Sequence, residues 1–163
     1  MKPISADIIE NTWKRMKDMP INESLNIMEQ FGKEQPMLLA YLYNRAANFN
    51  KSEKGLMLYA GTVVWYIMSR GVRPLPKISE QRLKEVERKN NLMLDYIAGE
   101  PEAEIPRFTK VIMSGYNQHL ILEHILAEVM KEPDQGERVI REKNSGSLML
   151  CLKTVIDCFD KQK

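Results

Sequence analysis

The sequence predicts an all-α fold, a compact single-domain bundle of six to eight helices around a buried helical hairpin at about residues 35–70. Three observations lead there. The 163 residues include only eight Gly and eight Pro, and no stretch alternates apolar and polar with period two. Apolar residues instead recur three and four apart in one segment after another. Finally, Leu56 to Met68 is a run of thirteen residues without a formal charge, set between Ser52 as a helix N-cap and Gly71 as a helix stop. A bilayer span needs about 18 apolar residues, so this run is read as a helix buried in protein.

Taken in order, helix one is expected from Ala6 to Met19, with Ile9, Trp13 and Met16 as its buried stripe, Asp7 and Glu10 as a capping pattern, and Pro20 as its stop. Helix two follows Asn22 as N-cap and buries Leu25, Met28 and Phe31, with Gly32 expected to break it. Helix three spans Gln35 to Phe49, with Pro36 in its first turn. At 100° per residue, Tyr41, Asn44, Arg45 and Asn48 fall on one polar stripe of this helix, and apolar residues cover the rest. The helix over 53–70 repeats the pattern, with Tyr59, Thr62, Tyr66, Ser69 and Arg70 on its polar stripe and Gly61 as a point of close crossing.

Val72 to Ile78 holds two prolines and reads as an extended linker or hinge inside the domain 1–163. Helix five is expected from Ser79 as N-cap to Ala98, with Gly99 as its stop and a polar Asn90 inside its apolar stripe, a position that specifies register or partner. An acidic loop over Glu100–Pro106 leads to a long helix from Arg107 to Lys131, its stripe running from Phe108 through Ile112, Gly115 and His119 to Met130. Asp134 and Glu137 form a second capping pattern, and a short charged helix reaches Glu142 before a break at Asn144–Gly146. The last helix is placed at Ser147 to Asp160.

Composition excludes several classes. With 24 basic and 22 acidic residues, the chain lacks the concentrated positive charge of a nucleic-acid footprint. Cys151 and Cys158 lie seven apart on one helix, about 10 Å between Cα atoms, too far for a mutual disulfide. They read as reduced, buried thiols in a cytoplasmic protein. No secretory apolar segment opens the sequence, and no membrane partner is implied. No phosphate loop, nucleophile elbow or metalloprotease motif occurs, so neither a cofactor nor a metal is expected.

Two sets of residues carry candidate chemistry. His119 and Glu123, spaced i and i+4, would let a carboxylate orient an imidazole, whereas His124 and Glu128 repeat the spacing on the opposite, polar face. The polar stripes of helices 35–49 and 53–70 would surround a cleft if they faced one another. Tyr41, Asn44, Arg45, Asn48, Tyr59, Tyr66 and Arg70 would then offer polar tips in apolar walls, as a small-molecule pocket does. Eleven methionines add adaptable apolar surface. The functional expectation is a non-catalytic interaction protein that self-associates, as a homodimer or with another protein partner, through the apolar faces of the last two helices. The alternative is a binding protein, and less readily an enzyme, for a small apolar or anionic ligand between helices 35–49 and 53–70. Weak nucleic-acid binding through the basic stretch Arg70–Lys89 ranks third.

Overall fold

The structure, a computed structural model, describes residues 1–71, 74–99, 110–111, 113–129, 131 and 139–160. It is an all-α bundle. Among the described residues, seven helices form and no strand does: α1 Ala6–Asp18, α2 Ile21–Glu34, α3 Pro36–Arg45, α4 Lys51–Gly71, α5 Glu80–Ala98, α6 His119–Val129 and α7 Glu142–Phe159. The expected acidic loop at 100–106, the start of the long helix at 107–109 and the second capping pattern at Asp134 and Glu137 lie outside the described residues.

The uncharged run does form the centre. Every residue of α4 from Ala60 to Trp65 is buried, so neighbours cover the whole circumference there. Met57, Val63, Val64, Ile67 and Met68 are fully buried, and burial of each such side chain stabilises by about 1.5–3 kcal/mol. The principal partner of α4 is α7, followed by α1, with α2, α3 and α6 around the rest. The expected hairpin is thus present but α3 is its shallower arm. Only Leu38, Tyr41 and Leu42 of α3 are buried. Gly61 permits the crossing, because a Cβ there would run into the Leu42 side chain.

Several boundaries differ from the sequence expectation, each for a physical reason. α1 is capped by Ser5, whose Oγ accepts the Ile8 N–H at 3.4 Å. α2 begins directly after Pro20 and runs through Gly32 to Glu34. Gly32 serves approach and not termination, since a Cβ would meet Leu39 Cδ2 at 2.8 Å. The cap of α4 is Asn50 instead of Ser52: Asn50 Oδ1 accepts the Glu53 N–H at 2.9 Å and Glu53 Oε1 accepts the Asn50 N–H at 3.0 Å, a reciprocal capping box. α5 matches the expected bounds, with Ser79 Oγ accepting the Arg82 N–H at 3.1 Å.

The long helix 107–131 is interrupted. Residues 113–114 are helical, Gly115 turns, and α6 starts only at His119. Conversely, α7 continues through Asn144–Gly146. Its start is held from outside by Glu53, described below, which offsets the weak helix propensity of that triplet.

The described part of the linker, 74–78, is extended but tied down. Gln35 is 1% exposed at the corner between α2 and α3. Its Nε2 donates to the Pro76 carbonyl at 2.9 Å, and its Oε1 accepts the Ile78 N–H at 2.9 Å. Ile78 is buried beside it.

Candidate functional site

Two polar centres lie inside this apolar frame. The first joins helix starts. Glu53 is fully buried, and its carboxylate accepts from the Arg141 N–H at 2.9 Å, Arg141 Nη2 at 2.7 Å, Arg141 Nε at 3.1 Å and Asn144 Nδ2 at 3.0 Å. With the Asn50 N–H, the same carboxylate faces the N-termini of both α4 and α7. The Arg141 guanidinium, with Nε and Nη2 both on Oε1, then the backbone and Asn144 donors, outweigh burial and hold this carboxyl well below the usual carboxylate range.

The second centre lies between α5 and α7. Lys153 points from α7 toward α5, with its Nζ 2.6 Å from Asp157 Oδ2 and 2.8 Å from Asn90 Oδ1. Asn90 Nδ2 donates in turn to Asp157 Oδ2 and to Thr154 Oγ1, each at 3.1 Å. Asn90, singled out as a polar interruption in an apolar stripe, thus fixes the register of α5 on α7 within the chain. The Tyr116 hydroxyl donates to Asp157 Oδ1 at 2.7 Å, and Lys153 Nζ lies 4.7 Å from the centre of the Tyr116 ring. Burial, then the Asp157 charge, push the Tyr116 hydroxyl far above its ordinary value, so it remains a donor. Arg82 closes one end, with Nη2 donating to the Asp157 carbonyl at 2.9 Å.

The break at Gly115 makes this centre. It frees Tyr116, Asn117 and Gln118 from a helix and turns them onto the ends of the chain. Asn117 Nδ2 donates to Asp160 Oδ1 and to the Met1 carbonyl, each at 2.9 Å. Gln118 donates to the Lys2 carbonyl and accepts the Ile4 N–H, each at 3.1 Å. Against this wall lies a cleft of about 480 Å³. Arg82, Val86, Lys89 and Asn90 line it from α5, and Lys153 and Asp157 from α7.

The residues expected to share a ligand cleft are distributed over separate faces. Tyr41 is turned inward toward α7, beside Cys151 and Thr154, and burial raises its hydroxyl well above the ordinary value. Asn44 and Asn48 are exposed, and Arg45 pairs with Glu87 of α5. Tyr59 packs on Trp13 of α1, ring centres 6.2 Å apart. Tyr66 lines a different cleft of about 410 Å³ with Trp65, Pro74 and Leu75, and the Arg70 guanidinium lies 5.7 Å from its ring. The stripes of α3 and α4 do not face each other, because α4 buries nearly its whole girth. His119 is the first residue of α6, 40% exposed, with Nδ1 3.5 Å from the carboxylate of Glu123. The interruption of the helix moved it out of the stripe. His124 lies against Trp13, ring centres 5.7 Å apart, and not on a solvent face.

Cys151 and Cys158 are both buried and unbridged. Burial pushes the Cys158 thiol up to about 12 and raises that of Cys151, so neither is a thiolate nucleophile near neutrality. Among the described residues, no three His, Cys, Asp or Glu side chains converge as metal ligands. Sequence reasoning missed Glu53, Gln35 and Lys153; the only local signal was that Glu53 stands three residues after Asn50, the spacing of a capping box. Comparison with protein-family models, with curated proteins and with solved structures finds no match.

Proposed function

We propose that the chain is a non-catalytic interaction protein that self-associates, with the C-terminal half of α5 as its contact surface. One observation carries this reading. No residue of α5 beyond Asn90 is buried, yet Leu92, Leu94 and Tyr96 are 55%, 41% and 59% exposed. Leu92, Met93, Leu94, Tyr96 and Ile97 together cover an arc of about 200° of the helix surface at 100° per residue. Apolar side chains grouped on two turns are the usual core of a contact patch. The last two helices, where sequence alone placed an interface, spend their apolar faces in the core: every residue of α7 from Cys151 to Ile156 is buried. A formal charge of +2 leaves little repulsion between copies, and a two-fold pairing of α5 on α5 uses the same patch twice. A cytoplasmic setting belongs to the same proposal and is supported by the two buried, unbridged thiols.

Sedimentation velocity from about 1 to 100 μM, the range of ordinary weak to moderate dimers, tests it. The expected result is a dimer that the double variant Leu92→Glu/Tyr96→Glu converts to monomer while it keeps the wild-type far-UV circular dichroism and loses the concentration dependence of Tm. A wild-type chain that stays monomeric throughout, or a variant that dimerises as well as wild type, overturns it.

A further inference from the structure

We infer that two copies of the chain pair through α5 in an antiparallel arrangement, with Arg88 of each copy set against Asp95 of the other. This rests on the reading of α5 as the contact surface and adds its direction and register. Leu83, Val86 and Asn90 define the inward side of the helix. At 100° per residue their mean direction lies about 130° from that of Leu92 and Tyr96, so the second pair projects away from the bundle. Leu92 and Tyr96 stand four apart, the d-to-a step of a heptad. The same frame places Glu85 at the preceding d position and Lys89 at the preceding a. Those two side chains already pair with each other at 3.1 Å, so the turn before Leu92 brings a neutral pair to the contact.

Direction follows from the flanks. Arg88 and Asp95 both fall at g in this frame, about 60–80° to one side of the Leu92–Tyr96 line. Both are exposed, and neither is held in an ion pair among the described residues. Charges at e and g set the orientation of paired helices. A two-fold axis perpendicular to the helices brings each g position against a g of the other copy. An axis parallel to them brings g against e. Antiparallel pairing centred beside Leu92 therefore sets Arg88 against the partner's Asp95 and, by symmetry, Asp95 against the partner's Arg88. One pair of residues supplies two ion pairs. Parallel pairing offers the same two charges only the e positions, Val86 and Met93, and Val86 is buried in its own bundle. In the antiparallel register Leu92 meets its own counterpart near the axis, and each Tyr96 lies over the partner's Glu85.

The test is sedimentation velocity on the full chain over about 1 to 100 μM, with charge reversals that leave Leu92 and Tyr96 in place. Arg88→Glu and Asp95→Arg each turn both ion pairs repulsive, and each is expected to weaken the dimer about tenfold. The double variant Arg88→Glu/Asp95→Arg restores opposite charges across the axis and is expected to return to within about twofold of wild type. An equimolar mixture of the two single variants is expected to dimerise better than either alone. All three variants change exposed side chains and are expected to keep the wild-type far-UV circular dichroism. Suppose the wild type dimerises and Leu92→Glu/Tyr96→Glu breaks the dimer. Single reversals without effect, or a double reversal as weak as the singles, then overturn the antiparallel register and leave α5 as the contact surface. A wild-type chain that stays monomeric, or a dimer indifferent to Leu92→Glu/Tyr96→Glu, overturns both.

Discussion

Replacing Glu53 with glutamine tests the energetic logic of the bundle most directly. The side chain is 0% exposed and accepts from Asn50, Asn144 and three groups of Arg141. Glutamine keeps the shape, removes the charge and turns one acceptor into a donor facing donors. Breaking a buried ion pair usually costs about 3–5 kcal/mol because a charge is stranded. Here Arg141 is 43% exposed and returns to water, so the loss belongs at the low end, about 3 kcal/mol. For a chain of this size that is about 6–12 °C in Tm. Arg141→Ala, which leaves three of the five donors in place, costs less, about 2 kcal/mol. The pH dependence has a definite sign. The folded-state pKa of Glu53 lies below its ordinary value of 4.5, so its contribution is complete above pH 4.5 and declines as pH falls toward the folded value. The decline is about 1.4 kcal/mol per pH unit in that window, and Glu53→Gln lacks it. Urea unfolding followed by far-UV circular dichroism, at pH 7 and at steps from pH 5 to 3, measures both quantities. A variant within about 0.5 kcal/mol of wild type at pH 7, or one that shares the wild-type acid slope, would refute the reasoning.

Other substitutions probe the second centre and the helix crossings. Asn90→Ala removes contacts to Lys153, Asp157 and Thr154 and is expected to cost about 2 kcal/mol in urea unfolding, since the Lys153–Asp157 pair stays together. Gly61→Ala forces a methyl into the Leu42 side chain and is expected to lower stability by about 1–3 kcal/mol. Gly146→Ala, in the first turns of α7 with nothing within 4 Å of its new Cβ, is expected to raise it by about 0.5–1 kcal/mol in the same measurement.

The fold was legible where the signal is local and repeated. α5 could be placed from Ser79 to Gly99 because its caps and its three-four spacing agree, and the uncharged run 56–68 marked the centre. Breaks were harder to read. Gly32 lies inside a helix and Gly115 ends one, and the difference is set by what packs nearby, Leu39 in the first case and the Asp157–Asp160 wall in the second. The candidate site was hidden for a related reason. Glu53, Gln35 and Lys153 are charged or polar residues that composition assigns to solvent, and their partners lie 88, 41 and 63 residues away. Burial of such groups follows from pairing, and pairing across helices leaves no periodic mark. The tyrosine stripes misled in the opposite direction: a helical wheel gives each face its composition but not its neighbour.

The Glu53–Arg141 joint also sets an order of events during synthesis. The two residues are 88 positions apart, so at about 5–20 residues per second the ribosome makes α4 about 4–18 s before the helix that covers it most. During that interval the buried side chains of α4, Met57, Val63, Val64 and Met68 among them, are packed without the α7 side of the bundle. The nascent chain therefore carries its central helix without one of its two largest neighbours until α7 emerges, and only α1, α2, α3 and α6 can shield it in that interval.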